Sequence, residues 1–201
     1  MAPKLFKPDS PLMIVMTQIT DVIFLSLLWL LGCLPVVTVG ASFAALYDAS
    51  YRVFREGEKN GWQRFGSVFR DNWKAGILPT VVFVALSTGL AKALIFFWNG
   101  AVAGTVSWTV FAGAGFIGVV ALGILSVLFP VLSRFENSFG GLLKNTLLLA
   151  LANLPRTVAL GLVNAVAVVL CIRFVVPLFF LPALAALIGT LFLEPMFKPY
   201  L

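Results

Sequence analysis
The chain has 201 residues, of which 61% are hydrophobic and only 11% charged, with a formal net charge of +6 and no histidine. That length fits one domain, 1–201, but so little polar surface cannot enclose such a core in water. Without histidine the commonest general base and metal ligand are gone, and two cysteines alone cannot build a zinc site.

The first apolar run, residues 12–34, is long enough to cross a bilayer, and Pro35 ends it because proline donates no helical hydrogen bond. Asp21, Thr17, Gln18 and Thr20 interrupt its first half. An intramembrane carboxylate is costly, so Asp21 is a candidate polar site or proton relay, or an anchor paired with Arg134 or Arg156. A second run over 36–54 carries the small residues Gly40, Ala41, Ser42, Ala44 and Ala45, which favour close helix packing within or between chains. Residues 12–54 read as a helical hairpin, or as one crossing followed by a helix at the surface.

Beyond the turn signal around Gly57 and Gly61, Trp62, Phe65, Phe69 and Trp73 recur at spacings of three and four. That spacing predicts an interfacial amphipathic helix with four aromatics on one face. A third span runs over 77–98 and a fourth, glycine-rich one over 106–132. Lys92 falls inside the third, where its stem suits snorkelling to the outer surface, with solute contact as the sharper reading. Residues 134–154 read as a second interfacial helix, carrying Lys144. The fifth span, 155–172, carries Asn164, a residue able to bond across helices. The sixth follows Arg173 and ends near Glu194. Cys33 and Cys171 both fall at the predicted outer ends of spans, where packed free thiols are the default and a disulfide the alternative.

Twelve of the fourteen Lys and Arg residues lie at Lys4 to Lys7, Arg52 to Lys74, Arg134 to Arg156, and Lys198. Placing these stretches in the cytoplasm puts both termini inside and favours six spans, with five as the alternative. The expected fold class is therefore all-α: a polytopic bundle of six spans plus two cytoplasmic amphipathic helices, multi-pass in the plasma (inner) membrane. The basic residues flank apolar spans, which suits an anionic lipid surface and gives no reason to expect nucleic acid. No phosphate-binding glycine–lysine loop occurs, and no Ser–Lys or paired-Asp arrangement is visible, so neither cofactor nor enzymatic activity is expected.

The segments CLPVVTVGASFAALYDASYRVFREGE and RFGSVFRDNWKAGILP resemble the YesL family of bacterial membrane proteins of unknown function. The likeness is carried by Pro35, Thr38, Gly40, Ala41, Ala45, Leu46 and Tyr47. It implies an inner-membrane protein encoded near carbohydrate importers of the ATP-binding-cassette type, and hence an accessory or scaffold role with importer subunits as partners. Under that reading Trp62, Phe65, Phe69, Trp73 and Lys144 form the docking surface. Under the alternative, a small-solute transporter or channel, Asp21, Lys92 and Asn164 carry the polar work. A homo-oligomer is compatible with both.

Overall fold
The computed structural model describes residues 11–135 and 138–199, and among these every regular element is helical. The order is α1 (Pro11–Cys33), a 3-10 turn at Val36–Thr38, then α2 (Val39–Tyr51), which continues into a π-helical turn at Arg52–Glu56. Next come α3 (Gly61–Asn72), α4 (Ile77–Val102), α5 (Trp108–Arg134), α6 (Phe139–Ala152) and α7 (Leu154–Arg173). A 3-10 turn at Val176–Phe179 leads into α8 (Leu181–Phe197). The N-terminal Lys4 and Lys7, and Glu136 and Asn137 of the second expected interfacial helix, lie outside the described residues.

Four helices, α1, α4, α5 and α7, are long and apolar enough to cross a membrane. Their surfaces agree: Phe96, Ile117 and Ile172 are 69%, 68% and 81% exposed. Large apolar side chains presented outward at this density need lipid as their solvent.

The second and sixth expected spans are shorter. Helix α2 has 13 residues and α8 has 17, about 20 and 26 Å at 1.5 Å per residue, against a hydrocarbon core of ~30 Å. Local chemistry explains both. Pro35 and the 3-10 turn after it consume the start of the 36–54 segment. Pro177 and Pro182 divide the final apolar stretch into a 3-10 turn and a helix.

Helix α2 sits at the centre, in contact with α1, α3, α4, α5 and α8. Ten of its thirteen residues are buried, from Gly40 to Ser50 with the exception of Phe43. Small side chains make that possible. A Cβ on Gly40 would collide with the Thr80 hydroxyl and, at 2.6 Å, with the Phe129 ring. In place of that Cβ, the Gly40 amide donates to Thr80 Oγ1 at 2.8 Å. The small-residue face of α2 is thus spent on contacts within the chain. The turn before α2 is tied by Thr38, whose hydroxyl lies 2.7 Å from the Gly32 carbonyl and 2.8 Å from that of Pro35. At the other end Gly57 takes φ +74°, a left-handed cap that suits glycine.

Helices α5 and α7 cross with their backbones in contact. The bare faces of Gly123 and Gly161 lie against the carbonyls of Thr157 and Val119 respectively. As the number rises on one helix it falls on the other, so the pair is antiparallel. The α8 N-terminus is held by α1: the Ala183 amide donates to the buried Ser26 hydroxyl at 3.2 Å. Without Ser26 a helix-end donor would be stranded inside the bundle.

The two helices expected at the interface are more deeply engaged than surface helices. In α3 the aromatic face divides: Phe65 is buried and stacked on Phe69 at 6.2 Å, whereas Trp62 and Trp73 are exposed. In α6, Leu142, Leu149 and Ala150 enter the main core, while Leu147, Leu148 and Leu151 face outward beside the exposed Lys144. Helix α6 is therefore apolar on two faces and has no broad polar one.

The α5–α7 crossing gives a direct test. Gly123→Ala should lower the thermal midpoint in detergent, as overpacking of about 1–3 kcal/mol requires. Gly115→Ala, on the same helix with open space beside it, should leave the midpoint unchanged.

Candidate functional site
The C-terminal ends of α2, α5 and α8 meet around one polar cluster. Tyr47 donates to Glu194 Oε1 at 2.8 Å, and Arg134 Nη2 donates to the same oxygen at 2.7 Å. The Arg134 guanidinium also lies 4.4 Å from the centre of the Tyr51 ring, a cation–π contact. One helical position from Tyr47, Asp48 is 1% exposed and accepts from Arg64 Nε of α3. That hydrogen bond raises the Arg64 pKa above its ordinary value, against the desolvation that opposes it. Two acids meet two guanidiniums, so the ion pairs neutralise one another.

Above this cluster lies an apolar cavity of about 270 Å³ between α1, α2, α4, α5, α7 and α8. Tyr47 belongs to both, as its ring lines the cavity while its hydroxyl serves Glu194. Three rings, Phe43, Phe83 and Phe129, pack together on one wall with centroids 5.0–5.8 Å apart. Trp29, Ser126, Pro130, Asn164 and Cys171 also line it. Two polar groups of the wall satisfy their own helices: Ser126 donates to the Leu122 carbonyl at 2.7 Å and Asn164 to that of Leu160 at 2.9 Å. The Trp29 indole N–H is buried without a partner among the described residues. Pro130 leaves the Ser126 carbonyl without its helical donor. The space therefore suits a small, mainly apolar occupant with one acceptor for the indole.

Of the three polar residues singled out inside the spans, only Asn164 lines this cavity, and its amide bonds along its own helix instead of across to another. The pairing of Asp21 with Arg134 or Arg156 does not form. Arg134 is taken by Glu194, and Arg156 donates to Asn153 Oδ1 at 3.3 Å. Asp21 is half-buried on α1 without an ion pair among the described residues, and Lys92 is exposed on α4. Lys74 covers the exposed Trp73 ring at 5.5 Å. Cys33 and Cys171 are free thiols.

Asp48, Arg64 and Glu194 are cluster members that sequence reasoning missed. The signal was present: each acid interrupts an apolar run, and a buried acid needs a cation or a set of donors. Among the described residues no group of three His, Cys, Asp or Glu side chains is placed to hold a metal.

Residues 22–92 match a family described as a protein of unknown function, DUF624. No curated protein and no solved structure matches the chain. The matched segment holds all of α2, α3 and the first part of α4, together with Asp48 and Arg64. The other half of the cluster, Arg134 and Glu194, lies beyond it.

Breaking the cluster should cost more than removing it. Glu194→Ala strands Arg134 and is expected to destabilise by about 3–5 kcal/mol, as for other broken buried pairs. Tyr47→Phe, losing one hydrogen bond to a charged group, should cost about 1.5–3 kcal/mol. The double change Arg134→Met with Glu194→Leu should recover much of the loss seen for Glu194→Ala in thermal unfolding. A loss in the double variant equal to the sum of the Arg134→Met and Glu194→Leu losses would show that the pair carries no coupling.

Proposed function
We propose that the protein is a non-enzymatic accessory or scaffold protein of the plasma (inner) membrane, docking onto subunits of a carbohydrate importer through α3 and α6. The observation that carries this reading is the pair of helices themselves. Both are anchored in the bundle by one face and present apolar side chains on another, Trp62 and Trp73 on α3 and Leu147, Leu148 and Leu151 on α6. Exposed cations accompany them, Arg70 and Lys74 on one side and Lys144 on the other. An apolar patch rimmed by charge is what a partner surface needs. The carbohydrate-importer identity of that partner rests on the YesL resemblance.

In this proposal both termini are cytoplasmic and six apolar segments cross, α2 and α8 being the short ones. Support comes from the cluster: it gathers the C-terminal ends of α2, α5 and α8, and Arg52, Arg134 and Lys198 sit at those three ends. Cations concentrated at one end of a bundle mark its cytoplasmic side. A short helix such as α2 is tolerated at membrane depth because protein surrounds it.

The second reading, a small-solute transporter, is favoured by the cavity beside Trp29 and Asn164. Purification from native membranes in mild detergent, followed by mass spectrometry, separates the two. Importer subunits are expected in stoichiometric yield, and Trp62→Ser with Leu148→Ser should remove them without lowering the thermal midpoint. Recovery of the chain alone, with solute flux into proteoliposomes that Asn164→Leu abolishes, would replace the accessory reading with transport.

A further inference from the structure
An open groove of about 650 Å³ runs between α1 and α8. Its direction follows from one contact. Ser26 of α1 holds the Ala183 amide of α8, and the groove is built from residues before Ser26 on α1 and mainly after Ala183 on α8. The two helices are therefore antiparallel, and Gln18 faces the Leu191 end. From Phe180 to Leu191 the wall is about 16 Å long at 1.5 Å per residue, close to half of a ~30 Å hydrocarbon core. Its depth is that of one leaflet. Ile23, Leu187 and their neighbours make the walls mainly aliphatic, with Phe54 and Phe180 also lining them and Ile23 40% and Leu191 53% exposed.

Arg55 is the one charged residue among the described residues that line the groove. It sits in the π-helical turn Arg52–Glu56, a rare conformation found frequently at functional positions. The turn sends Val53 against Gly61 and leaves Phe54 and Arg55 on the groove wall. The adjacent acid, Glu56, is taken by Arg52 at 2.8 Å, and Arg55 makes no ion pair among the described residues. Its place along the groove is also set. Arg55 lies one turn beyond Tyr51, Tyr51 lies under Arg134, and Arg134 binds Glu194, one turn beyond Leu191. The cation is thus at the same end as Gln18.

We propose that this groove binds a phospholipid with an anionic headgroup, one acyl chain lying along α1 and α8 and the headgroup phosphate meeting Arg55. Charge complementarity fixes the occupant. An uncharged apolar segment would leave Arg55 without a partner, whereas an anionic lipid satisfies the cation and the aliphatic wall together.

Native mass spectrometry of the full chain, extracted in detergent with phosphatidylglycerol or phosphatidylcholine, tests the proposal. Phosphatidylglycerol should be retained at one molecule per chain in preference to phosphatidylcholine. Arg55→Gln should reduce that preference about five-fold, the contribution of one basic residue near an anionic surface. Lys59→Gln, an exposed cation outside the groove, should not change it, and Leu187→Trp should displace both lipids by filling the groove. Equal retention of the two lipids, equal effects of the Arg55 and Lys59 substitutions, or displacement by inorganic phosphate alone would each overturn it.

Discussion

Burial of α2 is the constraint on which the rest of the structure depends. A thirteen-residue helix is by itself shorter than the apolar core of a bilayer, so its place in a membrane bundle must be made by other helices wrapping it. Its glycine and alanines let α1, α4 and α5 approach closely, but that closeness also buries Asp48 and Tyr47. A buried carboxylate without a cation is untenable, so α3 has to bring Arg64 to it. Tyr47 imposes the matching demand on α8, met by Glu194, whose charge in turn draws Arg134 from α5. One short helix thereby fixes the ends of three others.

Net stabilisation is not the main consequence of such a cluster, because desolvation of the ions consumes most of their attraction. Register is a better account. A bundle of Leu, Val and Ala faces slides at little cost, and lipid tails compete on equal terms with apolar side chains. Glu194 has one position in which it reaches both Tyr47 and Arg134, and sliding α8 by a turn would strand all three. The Gly123–Thr157 and Gly161–Val119 approaches do the same for α5 and α7 by shape. Electrostatics sets one end of the bundle and backbone contact the middle.

Much of this was legible in the sequence. Apolar run length and proline placed α1, α4, α5 and α7 within a few residues. The basic clusters identified the shared end of α2, α5 and α8. What was not legible depends on tertiary partners. In the sequence Arg134 stands beside Arg156 as a candidate partner of Asp21, yet sequence carries no register between helices, and 60 positions separate Arg134 from its actual partner. Helix α6 misled for a related reason: a Leu-rich helix with one Lys reads as a surface helix until a second apolar face is seen to enter the core.

The same logic gives the matched segment, residues 22–92, a physical meaning. Pro35, Thr38 and Gly40 make a turn and a close crossing, while Asp48 is answered by Arg64 inside the segment itself. These residues build the hub, where the bonds of Thr38, the Gly40 amide and Asp48 are all answered inside the segment. Tyr47 reaches beyond the segment. Its partner Glu194 lies more than a hundred residues beyond the match, and its ring faces the cavity. The surfaces proposed above for partner, solute and lipid are α3 and α6 at the bundle end, the Trp29–Asn164 cavity and the Arg55 groove, and all three are built on helices that the hub holds together.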